Sequence, residues 1–462
     1  MEDTRAPAAV AVANASLLGV GYLMLGRHLL AVVTGLVSLV LVILLGTVAE
    51  SVWFVVVVLL WWIALIAHGW VLARGAREPL RGGWDVALGF AVPVLLFAGL
   101  LRFEAFSVKG DIDDARGGGD CAKAVKAQDG VWFGVRAVDP AQAARGDDTA
   151  EACKRLILAR ERLRTGLTGD AGALRSGFEG LSSVLSELPG HRKMVEVVLD
   201  GFLRGLPAKN PCETVAVTDW LRQRRASGNA LDRAAGVVPR TEPPALVQCG
   251  DNLMAAKEWE QARTRYQGLL DRYPAFESAA KAKDGVWKAT LEIELANVRR
   301  LLQDDTGGTP EYCSSPAKYS GAPAYKKGTN RALFYGDDEY TKKLPGGWKT
   351  DDVTKAVLVI CTEDAEMGKT VQTCPYENKS PLSLGRPTYV KFRRVAIPVK
   401  AYELRTGKLV SGKRVEIEGS SCPSRLRYTR PSLGIDTGPP SEVHVKPSDG
   451  DIREGFESLV NR

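Results

Sequence analysis

The stretch GVGYLMLGRHLLAVVTGLV, Gly19 to Val37, joins two apolar segments at Gly26-Arg27-His28. Read as one helix it is a single long span; read as two, it is a turn at a membrane surface. Apolar runs then cover His28 to Val48, Val52 to Ala73 and Val86 to Leu101. At 1.5 Å per residue, about 20 residues cross a hydrocarbon core of roughly 30 Å, so the first two runs are long enough. The third is shorter, but Trp84 and Phe103 extend it into the interfaces. Ala8 to Leu25 is a weaker apolar helix, interrupted by Asn14 and Ser16. It does not read as a cleavable signal peptide, because further spans follow and no basic segment precedes it. The expectation is a four-helix transmembrane region over residues 1–105, with Gly26-Arg27-His28 as a tight turn between the first two helices; if the first segment lies on the surface without spanning, the placement of the rest is unchanged.

Arginine placement sets the orientation, since short cytoplasmic loops carry the excess of basic residues. The connection GTVAES, Gly46 to Ser51, holds Glu50 and no base, whereas RGAREPLRGGWD, Arg74 to Asp85, holds Arg74, Arg77 and Arg81. These arginines and Arg27 are therefore expected inside. The last helix then leaves the cytoplasm, and everything beyond Lys109 is expected to be extracytoplasmic. His68 is the one titratable side chain within a span, near the arginine end of its helix, where an interfacial role is expected rather than a proton relay.

Gly19, Gly21, Tyr22, Gly26 and Arg27 carry a resemblance to paired-helix membrane modules whose hairpin reads G-x-G-x-x-x-x-G-R. The aromatic usual just before the turn is replaced by Leu23 and Met24. The resemblance covers some forty residues and implies an integral membrane hairpin, with no activity attached.

After Lys109 the chain becomes rich in charge. The net charge of +7 over 462 residues suits a nearby anionic surface such as membrane lipid. No lysine blocks with interleaved aromatics occur, so nucleic acid is not expected as a partner. The eight cysteines, Cys121, Cys153, Cys212, Cys249, Cys313, Cys361, Cys374 and Cys422, all lie in this charged part. None sits at CxxC spacing or near a histidine, so disulfides in an oxidising compartment are expected in place of a metal site. Cys121 with Cys153, and Cys212 with Cys249, would staple neighbouring helices. Cys361 with Cys374 suits a cross-strand bond, leaving Cys313 with Cys422, although connectivity does not follow from sequence.

Residues 106–305 read as an all-α extracytoplasmic domain, set off by the linker DARGGGD, Asp114 to Asp120. Leu174, Phe178, Leu181, Val184, Leu185 and Leu188 recur on one helical face that Pro189-Gly190 ends. Within ALVQCGDNLMAAKEWEQARTRYQGLLDRYP, Ala245 to Pro274, the residues Gly250, Leu253, Trp259, Ala262, Tyr266, Leu269 and Pro274 stand at set spacings. They resemble a tetratricopeptide repeat: small Gly250 and Ala262 at a helix crossing, Tyr266 and Leu269 in the seam, Pro274 closing the second helix. A long helix from about Phe276 to Leu302 would cap a short, degenerate array. The resemblance implies a concave groove for a protein or peptide.

Residues 306–462 read as a small, strand-rich α+β domain. Ala332–Gly336, Lys355–Thr362 and Thr370–Tyr376 alternate like strands, and a hairpin turns at Gly407 between Tyr389–Leu404 and Lys408–Gly419. A short amphipathic helix closes the sequence, with Ser448 or Asp449 as its cap and Ile452, Phe456 and Leu459 inward. Catalytic motifs fail inspection. Met367-Gly-Lys-Thr370 lacks the earlier glycine of a phosphate loop, Glu363 standing there. Gly336–Glu339 and Asp111–Asp114 lack calcium-loop spacing. Lys391, Arg393 and Arg394 form a basic strand, read as a solvated sheet edge. No catalytic, cofactor-binding or metal-ligating residue is assigned and no cofactor is expected. The expectation is a membrane-anchored extracytoplasmic interaction or scaffold protein, non-enzymatic, that holds an envelope protein or peptide. The alternative is an extracytoplasmic sensor or hydrolase with its site in the C-terminal domain.

Overall fold

The computed structural model describes residues 5–47, 52–75, 83–132, 134, 136, 140–303, 309–336, 338–378, 386–428 and 438–462. They are mostly helical and form two compact units, Met1–Gln248 and Cys249–Arg462.

The first apolar segment is not one helix. It forms α1 (Arg5–Asn14) and α2 (Val20–Met24), and between them Leu17 and Gly19 adopt left-handed φ values of 64° and 68°. Neither piece approaches the roughly 20 residues a span requires. The segment is instead packed inward, with Ala9, Val10, Ala13 and Tyr22 buried. The glycines of the module-like motif are points of close approach. A Cβ on Gly21 would lie 2.5 Å from the Val10 carbonyl oxygen, and one on Gly19 2.9 Å from that of Ala31. Gly26 takes a left-handed φ of 76°, and the Arg27 amide donates to the Tyr22 carbonyl at 2.9 Å. The chain therefore turns there and enters α3 (His28–Thr47) as a second helix.

Helices α4 (Val52–Arg74) and α5 (Trp84–Gly118) are long and apolar enough to cross a membrane. Trp53, Leu60, Leu96 and Leu100 project outward from them, as lipid-facing side chains do. Helix α5 does not stop at Leu101, and the stretch read as a linker is helical to Gly118. Its 35 residues span about 52 Å. Burial of Ile112 and Ala115 against neighbouring helices outweighs the poor helix propensity of the glycines. The helix ends at Gly119, whose left-handed φ of 74° favours a residue without a side chain.

Beyond it, α6 (Cys121–Asp129), α7 (Pro140–Gly166), α8 (Ala171–Glu187), α9 (Arg192–Leu203) and α10 (Pro211–Gln223) surround one core. Leu156, Leu163, Met194 and Leu199 lie in it with the expected α8 stripe of Leu174, Phe178, Leu181 and Val184, while Leu185 and Leu188 are partly buried. Asp170 and Asn210 cap α8 and α10 through their side chains. Cys121 and Cys153 are bonded, with a Cα separation of 5.1 Å, and tie α6 to α7.

Helix α11 (Val238–Ala255) leads to α12 (Trp259–Arg272) and α13 (Ala279–Leu302). A helical hairpin thus stands where the repeat-like spacing lies, turned at Lys257 with a φ of 63°. Ala262, Tyr266 and Leu269 are buried, Leu253 and Trp259 half-buried, and Pro274 exposed beyond the end of α12. The Tyr266 ring is sandwiched between Gly250 and Gly285: a Cβ on either would come within 2.6 Å of it. The end of α13 belongs to the next core, where Leu295, Val298 and Leu302 pack with Tyr312, Val359 and Tyr402. The change of sequence texture near Gly307 is a change of secondary structure within one core.

Among the described residues six strands form one mixed sheet: β1 (Ala332–Tyr335), β2 (Leu358–Thr362), β3 (Glu366–Tyr376), β4 (Thr388–Glu403), β5 (Lys408–Ile417) and β6 (Glu442–His444). The 16-residue β4 is the spine. β2 and β3 run antiparallel to successive parts of one of its edges, β5 and β6 lie on the other, and β1 is parallel to β2. This order corrects two expectations. The strand of Lys391, Arg393 and Arg394 is not an edge but the centre, and its charges are met by Glu442, Glu416 and Glu418. Cys361 and Cys374 do not pair, because β2 and β3 each hydrogen-bond to β4 and not to each other. The bonds are Cys313–Cys361 and Cys374–Cys422, at Cα separations of 5.8 and 5.9 Å. The last helix, α14 (Asp449–Val460), begins with a Ser448–Asp451 capping box and buries Ile452, Phe456 and Leu459.

Candidate functional site

Two clefts in the helical part of the first unit bring together side chains that are dispersed in the sequence. One, of about 610 Å³, lies between α8 and the end of α10. Arg175, Phe178, Glu179 and Ser182 share one face of α8, and Trp220, Gln223, Arg224, Arg225 and Leu231 complete the lining. The Phe178 and Trp220 rings have centroids 5.0 Å apart, and the Arg224 guanidinium lies 5.2 Å over Phe178. Arg175 and Arg225 are exposed at the rim. An aromatic floor with a cationic rim suits an anionic or aromatic side chain of a polypeptide.

Asp232 shapes this cleft by holding the loop after α10. Its Oδ1 accepts from the Ser227 amide at 2.9 Å, the Ser227 hydroxyl at 3.0 Å and the Arg224 guanidinium at 2.6 Å. Its Oδ2 accepts from the Gly228 amide at 2.7 Å. The Ser227 amide foremost, with these other donors, lowers the carboxyl from 3.8 to about 2. Because the folded value lies below the unfolded one, the stabilisation is complete above the ordinary carboxylate range. It is lost as pH falls through that range toward about 2. At neutral pH, Asp232→Asn is therefore expected to speed trypsin cleavage after Arg225. The parent loop should become comparably sensitive to pepsin only as the pH falls from about 4 toward 2.

The second cleft, of about 670 Å³, opens between α7 and α9 at the corner where α5 passes into α6. Buried Leu156, Leu163 and Phe202 form its floor, and half-buried Val197 and Val198 one wall. Arg160 and Arg164, one helical turn apart on α7, and Arg204 after α9 surround it, with Asp120 as the single acid. Asp120 is committed to capping α6, accepting from the Lys123 amide at 3.0 Å. Neither cleft is visible in the sequence. The available signal is the pairing of Arg160 and Arg164 beside Leu156 and Leu163, and it acquires meaning only when α9 is placed opposite.

The repeat-like residues meet as packing. Tyr266 donates its hydroxyl to Asp251 Oδ1 at 2.6 Å, and Lys281 donates to Asp251 Oδ2 at 2.6 Å. Burial foremost, with the neighbouring Asp251, pushes the Tyr266 phenol up. Of the topology arginines, Arg27 follows the turn and Arg74 ends α4, stacked 5.3 Å over the Trp70 ring. Arg77 and Arg81 lie outside the described residues, as does Glu50. His68 Nδ1 is 2.9 Å from the hydroxyl of fully buried Tyr22, a pairing that sequence spacing did not disclose.

Among the described residues no group of three His, Cys, Asp or Glu side chains could hold a metal ion. Met367–Thr370 lies on strand β3 and Asp111–Asp114 within helix α5, so neither is a ligand loop. Asp337 of the other acidic stretch lies outside the described residues. The shifted acids of the C-terminal sheet region all move down: Asp352 foremost through Thr354, Glu442 through Arg393 and Asp451 through Ser448. These shifts come from helix caps and ion pairs. The chain matches no protein-family model, no curated protein and no solved structure.

Proposed function

We propose that this chain is a membrane-anchored interaction protein whose extracytoplasmic helical part holds a segment of another envelope protein. The observation that carries the reading is the Phe178–Trp220 cleft with Arg175 and Arg225 at its rim. Tryptophan and arginine are among the residues most enriched where binding energy concentrates, and here Trp220 is part of the floor and the arginines form the rim. The cysteines support an oxidising compartment, since none is free. The arginines at 27, 74, 77 and 81 support a cytoplasmic face for the membrane hairpins, which sends the helical part and the sheet outward. The repeat-like hairpin at 245–274 extends the same reading to a second surface, in the manner of tetratricopeptide arrays that grip peptides.

A photoreactive benzophenone side chain placed at Gln223 in living cells tests the proposal. The expected result is a discrete adduct with an envelope protein that is lost in Arg175→Glu/Arg225→Glu, because reversing two rim charges weakens binding about tenfold or more. An adduct that survives both reversals, or a reporter fused at Arg462 that is active only in the cytosol, overturns it.

A further inference from the structure

The cleft between α7 and α9 carries an excess of positive charge over an apolar hollow, and nothing in the protein-binding reading uses it. Among the described residues Arg160 and Arg204 make no ion pair. Arg164 is matched only by Glu161 at 3.3 Å, both side chains largely in solvent, where such a pair contributes little. Arg160 and Arg164 repel at i, i+4. The apolar side is equally unsatisfied: Ile157, 51 % exposed, lines the same hollow as Val197 and Val198. The backbone is open to it as well. A Cβ on Gly118 would meet nothing within 4 Å, and one on Gly201 only the Arg204 guanidinium at 4.0 Å. A volume of about 670 Å³ is that of a small-molecule site.

We propose that this cleft binds a single-chain anionic amphiphile, its acid group held by Arg160 and Arg204 and its chain laid over Ile157, Val197 and Val198. Guanidinium groups bind carboxylates and phosphates by paired, charge-assisted hydrogen bonds, and an acid on Arg160 would also screen its repulsion from Arg164. The fold argues for one chain over two. From Leu101 to Gly118 is 17 residues of continuous α5, about 25 Å of rise, so the cleft stands clear of the hydrocarbon. A single acyl chain leaves a bilayer reversibly, whereas two chains anchor stably.

The test uses the full chain in phosphatidylcholine nanodiscs with a diazirine-bearing palmitate as probe, irradiation and peptide mapping. The expected label falls on peptides containing Ile157 or Val197–Val198, and excess palmitate or hexadecyl phosphate displaces it. Comparing these two competitors distinguishes a carboxylate head from a phosphate head. Methyl palmitate and inorganic phosphate should not compete. Arg160→Gln/Arg204→Gln, both exposed positions, should cut the labelling about tenfold or more while the Cys121–Cys153 bond persists. Absence of label at these peptides overturns the proposal in the parent protein itself. Equal competition by methyl palmitate would reduce the cleft to an apolar hollow, and full competition by phosphate to a simple anion site. Unchanged labelling in the double variant would remove the arginines from it. Each of these results overturns the assignment and leaves the Phe178–Trp220 reading untouched.

Discussion

Replacing Phe456 with alanine is expected to weaken the docking of α14 onto the sheet by about 3–5 kcal/mol, the usual cost of removing a fully buried aromatic. The ring is 0 % exposed and meets Phe334 edge-on at 6.4 Å between centroids. Leu358, Val395, Ile397, Val415 and Ile417 belong to the same buried cluster. No smaller group can fill that volume, because the neighbours are β-sheet side chains fixed by their register. Hydrogen exchange of the full chain should show α14 and β5 amides losing protection together, with the helices around Leu156 unaffected. Full retention of α14 protection would mean that the helix is held chiefly by its Ser448–Asp451 cap and by Asn330, which donates its amide to the Val460 carbonyl at 2.9 Å.

Converting Cys313 and Cys361 together to alanine is expected to cost about 4 kcal/mol. That is the chain-entropy value for a closed loop of 48 residues. The bond ties the turn after α13 to the strand β2, so its loss should expose β1 and β2 amides to exchange first. Non-reducing peptide mapping of the parent should recover Cys313 with Cys361 and Cys374 with Cys422. Recovery of a Cys361–Cys374 peptide would contradict the strand order itself, since β4 would then have to leave its place against both strands.

Much of this architecture is legible in the sequence because its signals are local. Uninterrupted apolar runs mark α3 and α4, the 3.6-residue stripe from Leu174 marks α8, and alternation with a glycine turn at Gly407 marks the β4–β5 hairpin. Ser448 and its acidic partner three residues on mark the start of α14. What escapes is set by contacts between distant residues. The break between α1 and α2 arises where Leu17 and Gly19 turn left-handed so that α1 can fold against α2, α4 and α5. The glycines at 117 and 118 read as a linker, but the packing of Ile112 and Ala115 keeps them helical. Strand order decides the cysteine pairing, and no spacing between Cys361 and Cys374 reveals that β4 takes both strands as partners. The three-residue β6 is too short to carry an alternation of its own. Both clefts have the same origin: each arginine on α7 is ordinary in the sequence, and only the approach of α9 makes it one of three around a hollow.

Helix α5 enters the lipid-facing region at Trp84, carries Pro93 within its membrane part, and runs on helical to Gly118. A helix turns about 100° and climbs 1.5 Å with every residue, so its two ends keep a fixed angular phase. Adding one alanine after Phe103 would swing the helices packed around the end of α5 by more than a quarter turn about the shaft while raising them hardly at all. Adding seven would restore the azimuth to within about 20° and lift them by about one nanometre. The chain thus contains its own protractor, and crosslinking yield at Gln223 plotted against insert length would report whether facing direction or height governs the proposed interaction.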